Sequence, residues 1–142
     1  MGAAAHYEMR WKRPAVTAAT YRDVIAESNG RAAPFFFHDR HPDVARRVIA
    51  SWSWVPYEVH CNLIRLQHPD LRAMIAAIDV PTLVVAGADD RSTPVERAEE
   101  IVSLVPSSTL HVVADSGHFM FMEHPAEVAG VIREFLISSA PI

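Results

Sequence analysis

The strongest constraint on this chain is a strand–helix–strand pattern between Ile78 and His118. Thr82-Leu83-Val84-Val85-Ala86 is an unbroken apolar run ending at Gly87, as expected of a strand covered on both faces. A second run, Leu110, Val112 and Val113, follows the turn residues Pro106-Ser107-Ser108. Between them Pro94 opens a helix whose Val95, Ala98, Ile101, Val102 and Val105 fall on one stripe. Strands joined through a crossover of that length should lie parallel. A further helix begins at Pro125, with Val128, Val131, Ile132, Phe135 and Leu136 at helical spacing. The fold class is therefore α/β.

Reactive groups in parallel sheets gather just beyond the carboxyl ends of the strands. Asp90 lies there after the first strand and His118 after the second. A carboxylate beside an imidazole fixes the ring's tautomer and stabilises the imidazolium that forms when it accepts a proton. An imidazole suits proton transfer because its ordinary pKa, about 6.5, lies near neutrality. Other assignments use the same residues. Asp89 can replace Asp90 as the acid, Asp90 can brace its own turn with Arg91, and Asp115 can pair locally with His118. Gly117 is expected to turn the backbone tightly just before the ring.

The stretch Ile78-Asp79-Val80-Pro81-Thr82-Leu83-Val84-Val85-Ala86-Gly87-Ala88-Asp89-Asp90, with Pro94 beyond it, is followed by Gly117-His118 and then Glu123 and Pro125. This combination resembles the carboxyl-terminal portion of the α/β-hydrolases. The resemblance is dense from about Leu71 to Leu136 and thin before that. It implies that Asp90 is the acid and His118 the base of a catalytic triad, and that Glu123 and Pro125 open the final helix. The activity it implies is hydrolysis of an ester or related acyl bond, without a cofactor.

One part of the family pattern is missing. These hydrolases carry a nucleophile on a strained G-x-S-x-G turn, and no such motif occurs among the 142 residues. The nearest relaxed match, Ala26-Glu27-Ser28-Asn29-Gly30, follows a run too polar for a buried strand, and Pro34 would break the required helix. Asn29-Gly30 reads instead as a helix end. Ser92 and Ser116 lie near the expected site without such a turn. The expectation is an incomplete α/β-hydrolase fold: a helical cap followed by two parallel strands with flanking helices, inactive by itself.

The chain divides accordingly into an irregular lead-in over 1–20, a helical cap over 21–77 and the carboxyl-terminal core portion over 78–142. Within the cap, helices are expected from Tyr21 to Glu27, from Pro42 to about Ser51, from Tyr57 to about Leu66, and from the His68-Pro69-Asp70 start to Ala77. Pro42 and Asp43 suit the first turn of the second of these. Under the resemblance, Phe36, Trp52 and Trp54 in the cap and Phe119 after the histidine line an apolar substrate pocket. The plainer alternative is that these rings, with Met120, Phe121 and Met122, simply fill core.

Composition narrows the partners. Half of the residues are apolar and 21% are charged, with a net charge of −4, so neither disorder nor a nucleic-acid-binding stripe is indicated. His38-Asp39-Arg40-His41 places two histidines three apart, but a metal site needs three or four converging ligands and no second cluster is evident; no metal is expected. The single cysteine, Cys61, fits a reducing compartment, and with no leader-like or membrane-length apolar run a cytoplasmic protein is expected. A two-stranded parallel sheet is seldom independent. Its bare edge should pair with another copy, with an amino-terminal companion chain, or with a segment from the first 77 residues. The substrate, once the fold is complemented, should be a small apolar ester.

Overall fold

The computed structural model describes residues 17, 20, 21, 23, 33–52, 56, 58, 59 and 69–139. The helices expected from Tyr21 to Glu27 and from Tyr57 to Leu66 fall largely outside these residues, as do Ser28, Trp54 and Cys61. The described elements are α1 (Pro42–Ser51), α2 (Arg72–Ile75), β1 (Thr82–Gly87), α3 (Val95–Leu104), β2 (Ser108–Val113), α4 (Met120–Glu123) and α5 (Pro125–Ser138).

β1 and β2 form a parallel pair in continuous register, from Thr82 opposite Ser108 to Gly87 opposite Val113. Both strands thus end at the same level, and the loops after them leave side by side. α3 and α5 pack on this sheet. The core centres on Val105, Val113 and Ala98, with Ala86 and Val128 also buried. Among the described residues no third strand joins the pair.

Coverage of β1 departs from the expectation. Only Ala86 and Gly87 are buried, while Leu83, Val84 and Val85 are half-buried. Val80, Val112, Ile132, Leu136 and Ile137 are exposed.

Proline places two helices as expected, since its ring presets the first helical φ and its missing N–H would have no partner there. Pro42 and Pro125 begin α1 and α5. α2 is shorter than expected. The Asp70 carboxylate accepts the Arg72 backbone N–H at 3.0 Å, which closes a turn ahead of the helix. Two short helical pieces carried no visible period. One is the turn at Ala33–Phe36, closed by the Phe37 N–H donating to the Ala33 carbonyl at 2.9 Å. The other is α4, which also removes Phe121 and Met122 from the core, since both are exposed.

Point contacts join the 33–52 segment to the sheet unit. Phe37 stacks on Phe119 with ring centroids 5.0 Å apart. The imidazoles of His41 and His124, each just before the first residue of its helix, meet with their Nε2 atoms 3.1 Å apart. Arg40 forms an ion pair with Asp115.

Candidate active site

The loop after β1 turns around a buried carboxylate. Asp90 Oδ1 accepts the backbone N–H groups of Ser92 at 2.8 Å and Thr93 at 2.9 Å. The Thr93 hydroxyl donates to Oδ2 at 2.7 Å. Taking an ionised carboxylate out of water is costly unless its oxygens find donors, and these bonds meet that requirement. Asp90 therefore braces its own turn, but through Ser92 and Thr93 and not through Arg91.

The same Oδ2 lies 2.9 Å from Nδ1 of His118. Thr93 Oγ1 is 3.1 Å from that nitrogen. Because the threonine hydrogen is committed to Asp90, both oxygens are placed to accept from an Nδ1–H. This favours the tautomer with a bare Nε2, the atom that can act as a base. The Asp90 side chain is 2% exposed and that of His118 36%. The acid is sealed in, and the ring reaches towards open space.

His118 is held by backbone proximity. A Cβ on Gly87 would lie 2.2 Å from the Gly117 carbonyl oxygen, and one on Gly117 would lie 2.7 Å from the Phe36 carbonyl oxygen. The loop is sandwiched between the end of β1 and the Phe36 segment. The Asp89 N–H donates to the Ser116 carbonyl at 2.9 Å, and the Phe119 N–H to the Phe36 carbonyl at 3.3 Å. Gly117 is thus required for close approach and not for the tight turn expected of it. The left-handed residue is Asp115, with φ 50°, a conformation that aspartate tolerates better than most side chains.

The aromatic residues picked out in the sequence gather here where they are described. Phe36 lies 5.8 Å from the His118 ring, 6.2 Å from Trp52 and 6.0 Å from Phe119. Phe119 is 5.3 Å from His118. Asp89 faces His38 at 3.6 Å, and Asp115 faces Arg40 instead of His118. The Ser116 hydroxyl donates to the Val113 carbonyl at 2.9 Å. Among the described residues no group of three or more metal-ligating side chains converges.

Two residues near the site were not singled out from sequence as bearing on its geometry. Thr93 has a local signal, an aspartate followed three positions later by threonine and then proline, which marks a side-chain-stabilised turn. Glu123 is buried and accepts from the backbone N–H of Gly117, six positions before it, and of His38, 85 positions away. No local pattern announces that role.

The comparisons with known proteins agree with this architecture. A family model described as the alpha/beta hydrolase fold matches residues 5–125, and the chain belongs to that family. A 2-hydroxy-6-oxo-6-(2'-aminophenyl)hexa-2,4-dienoic acid hydrolase from Metapseudomonas resinovorans is 38% identical over 68 residues, 48% of this chain and 23% of that protein. A 3-oxoadipate enol-lactonase from Acinetobacter baylyi is 26% identical over 87% of this chain and 47% of its own length. A thermophilic esterase from Thermogutta terrifontis superposes with a TM-score of 0.71 at 26% identity, covering 97% of this chain and 49% of the esterase. The chain thus spans between about a quarter and a half of these relatives.

Proposed function

We propose that this chain supplies the acid–base half of a hydrolase acting on an ester or related acyl bond, with its nucleophile contributed from outside these residues. One observation carries the proposal: a sealed carboxylate 2.9 Å from Nδ1 of a half-exposed imidazole, at the carboxyl ends of adjacent parallel strands. In this reading Nε2 of His118 accepts the proton of an incoming nucleophile. Asp90 stabilises the imidazolium, and the ring returns the proton to the leaving group. Phe36, Trp52 and Phe119 form the apolar wall beside the reacting carbonyl, and Trp54 is proposed to extend it.

Support for a divided site comes from the absence of G-x-S-x-G in the sequence and from the span relative to the esterase, 49% of its length. The completing portion would bring the nucleophile and the oxyanion-binding donors. It would also cover the half-buried β1.

The test is hydrolysis of a short-chain aryl ester by the chain alone and mixed with an amino-terminal companion bearing G-x-S-x-G. The expected outcome is no turnover alone and turnover in the mixture. Asp90→Asn should lower that turnover by about four orders of magnitude, the scale for a triad whose acid has lost its charge. Turnover that persists unchanged in Asp90→Asn and His118→Ala would overturn the assignment.

A further inference from the structure

Asp90 and Glu123 are the buried carboxylates among the described residues. The proposed chemistry uses the first; the second lies outside it. Glu123 spends its oxygens on two backbone N–H groups far apart in sequence. Oε2 accepts from Gly117 at 2.7 Å and Oε1 from His38 at 2.7 Å. Such short bonds to a carboxylate are charge-assisted and stronger than neutral ones.

The two donors have informative neighbours. Gly117 immediately precedes His118, and His38 closes the segment carrying Phe36, whose ring lies 5.8 Å from the imidazole. The β2 ladder ends at Val113, so sheet hydrogen bonds do not reach His118. Instead, the N–H ahead of the ring is taken by Glu123 and the N–H after it by the Phe36 carbonyl. Since Phe36 and His38 belong to one short segment, the carboxylate ties the imidazole's loop and its aromatic wall together.

We infer that Glu123 is a positioning residue for His118, holding the Gly117 peptide so that Nδ1 stays within reach of Asp90. Glu123 does not touch the ring and acts through the backbone. The inference rests on the proposed reading of His118 as the base, and it is tested on the full chain without substrate.

The experiment reads the His118 ring nitrogens by NMR on the ¹⁵N-labelled protein, above the imidazole titration, with assignment by loss in His118→Ala. The wild-type ring should be mostly Nδ1-protonated. Glu123→Gln replaces one acceptor with a donor that faces a backbone N–H. It should shift the tautomer ratio about tenfold towards the Nε2-protonated form, the scale of one lost hydrogen bond to a charged group, while the amide spectrum stays dispersed. Glu123→Asp, one methylene short, should shift it in the same direction by less. A folded Gln variant with an unchanged ratio would overturn the inference. So would unfolding of both variants, which would make the carboxylate a support of the fold and not of the ring. Because ring populations are read without turnover, failure of the hydrolysis experiment and failure of this one are separately visible.

Discussion

The segment from Ala33 to Trp52 and the unit from Thr82 to Ser138 meet at His118, but they hold their places by different means. The second is fixed by a continuous parallel ladder, two glycines in backbone contact and a core that includes the fully buried Val105 and Val113. The first contributes Phe37 and Val48 to the buried set and meets the second through a few points: the Phe36 carbonyl, the His38 amide, stacked rings and the His41–His124 contact. The acid and the histidine sit on the part that secondary structure holds. Phe36 and Trp52 sit on the part that side chains and single peptide groups hold, and Phe119 meets both from the other side. The two regions are coupled at those points, because Glu123 accepts from both Gly117 and His38 and the Phe36 carbonyl accepts from Phe119.

Substitutions can break this contrast. The largest effect on stability is expected at Gly87→Ala, whose Cβ would sit 2.2 Å from a backbone oxygen. Neither partner is a flexible side chain that can yield, so unfolding in urea should show a loss of roughly 3 kcal/mol. Next, Val113→Ala should cost about 2 kcal/mol, because the residue is completely enclosed and its site cannot readily collapse. Val48→Ala in α1 should cost about 1 kcal/mol, since a helix held at few points can settle into the space left behind. Equal losses at the two valines would erase the distinction between the regions.

The smallest effect concerns α2, which Arg72 ties to α3 through Glu100 and to its own entry turn through Asp70. The Arg72 backbone N–H and guanidinium hold the Asp70 carboxyl below its usual value, and hydrogen bonds from Arg72 and Arg97 do the same for Glu100. Groups lowered in the folded state stabilise it above their unfolded values, about 4, and lose that contribution as the pH falls through the folded values. Amide exchange in α2, corrected for intrinsic rates, should therefore quicken on acidification below that range. Added salt should weaken the same contact, because Arg72 and Asp70 are exposed and Glu100 is only half-buried.

Periodicity explains what the sequence disclosed. β1, α3, β2 and α5 are long enough to repeat their pattern, and prolines mark the starts of α1 and α5. The Asp90–His118 pairing follows from where parallel strands end. By contrast, α4 is a single turn of four residues and has no room for a period. One of the two peptide groups that Glu123 accepts from lies 85 positions away. The role of Gly117 depends on the approach of Phe36, whereas a glycine in sequence suggests first a left-handed turn. For Glu123 and Gly117 a distant piece of backbone decides the outcome.

The matched register of β1 and β2 has one more consequence. Adjacent strands lie about 4.8 Å apart, so the ladder acts as a ruler between the two loops it launches. Sliding one strand by a single residue would displace its loop by about 3.3 Å and turn its side chains to the other face. Register thus sets the separation of the two loops in whole-residue steps, and the contacts of Glu123 and Phe36 beyond the strand ends set the finer position of the imidazole.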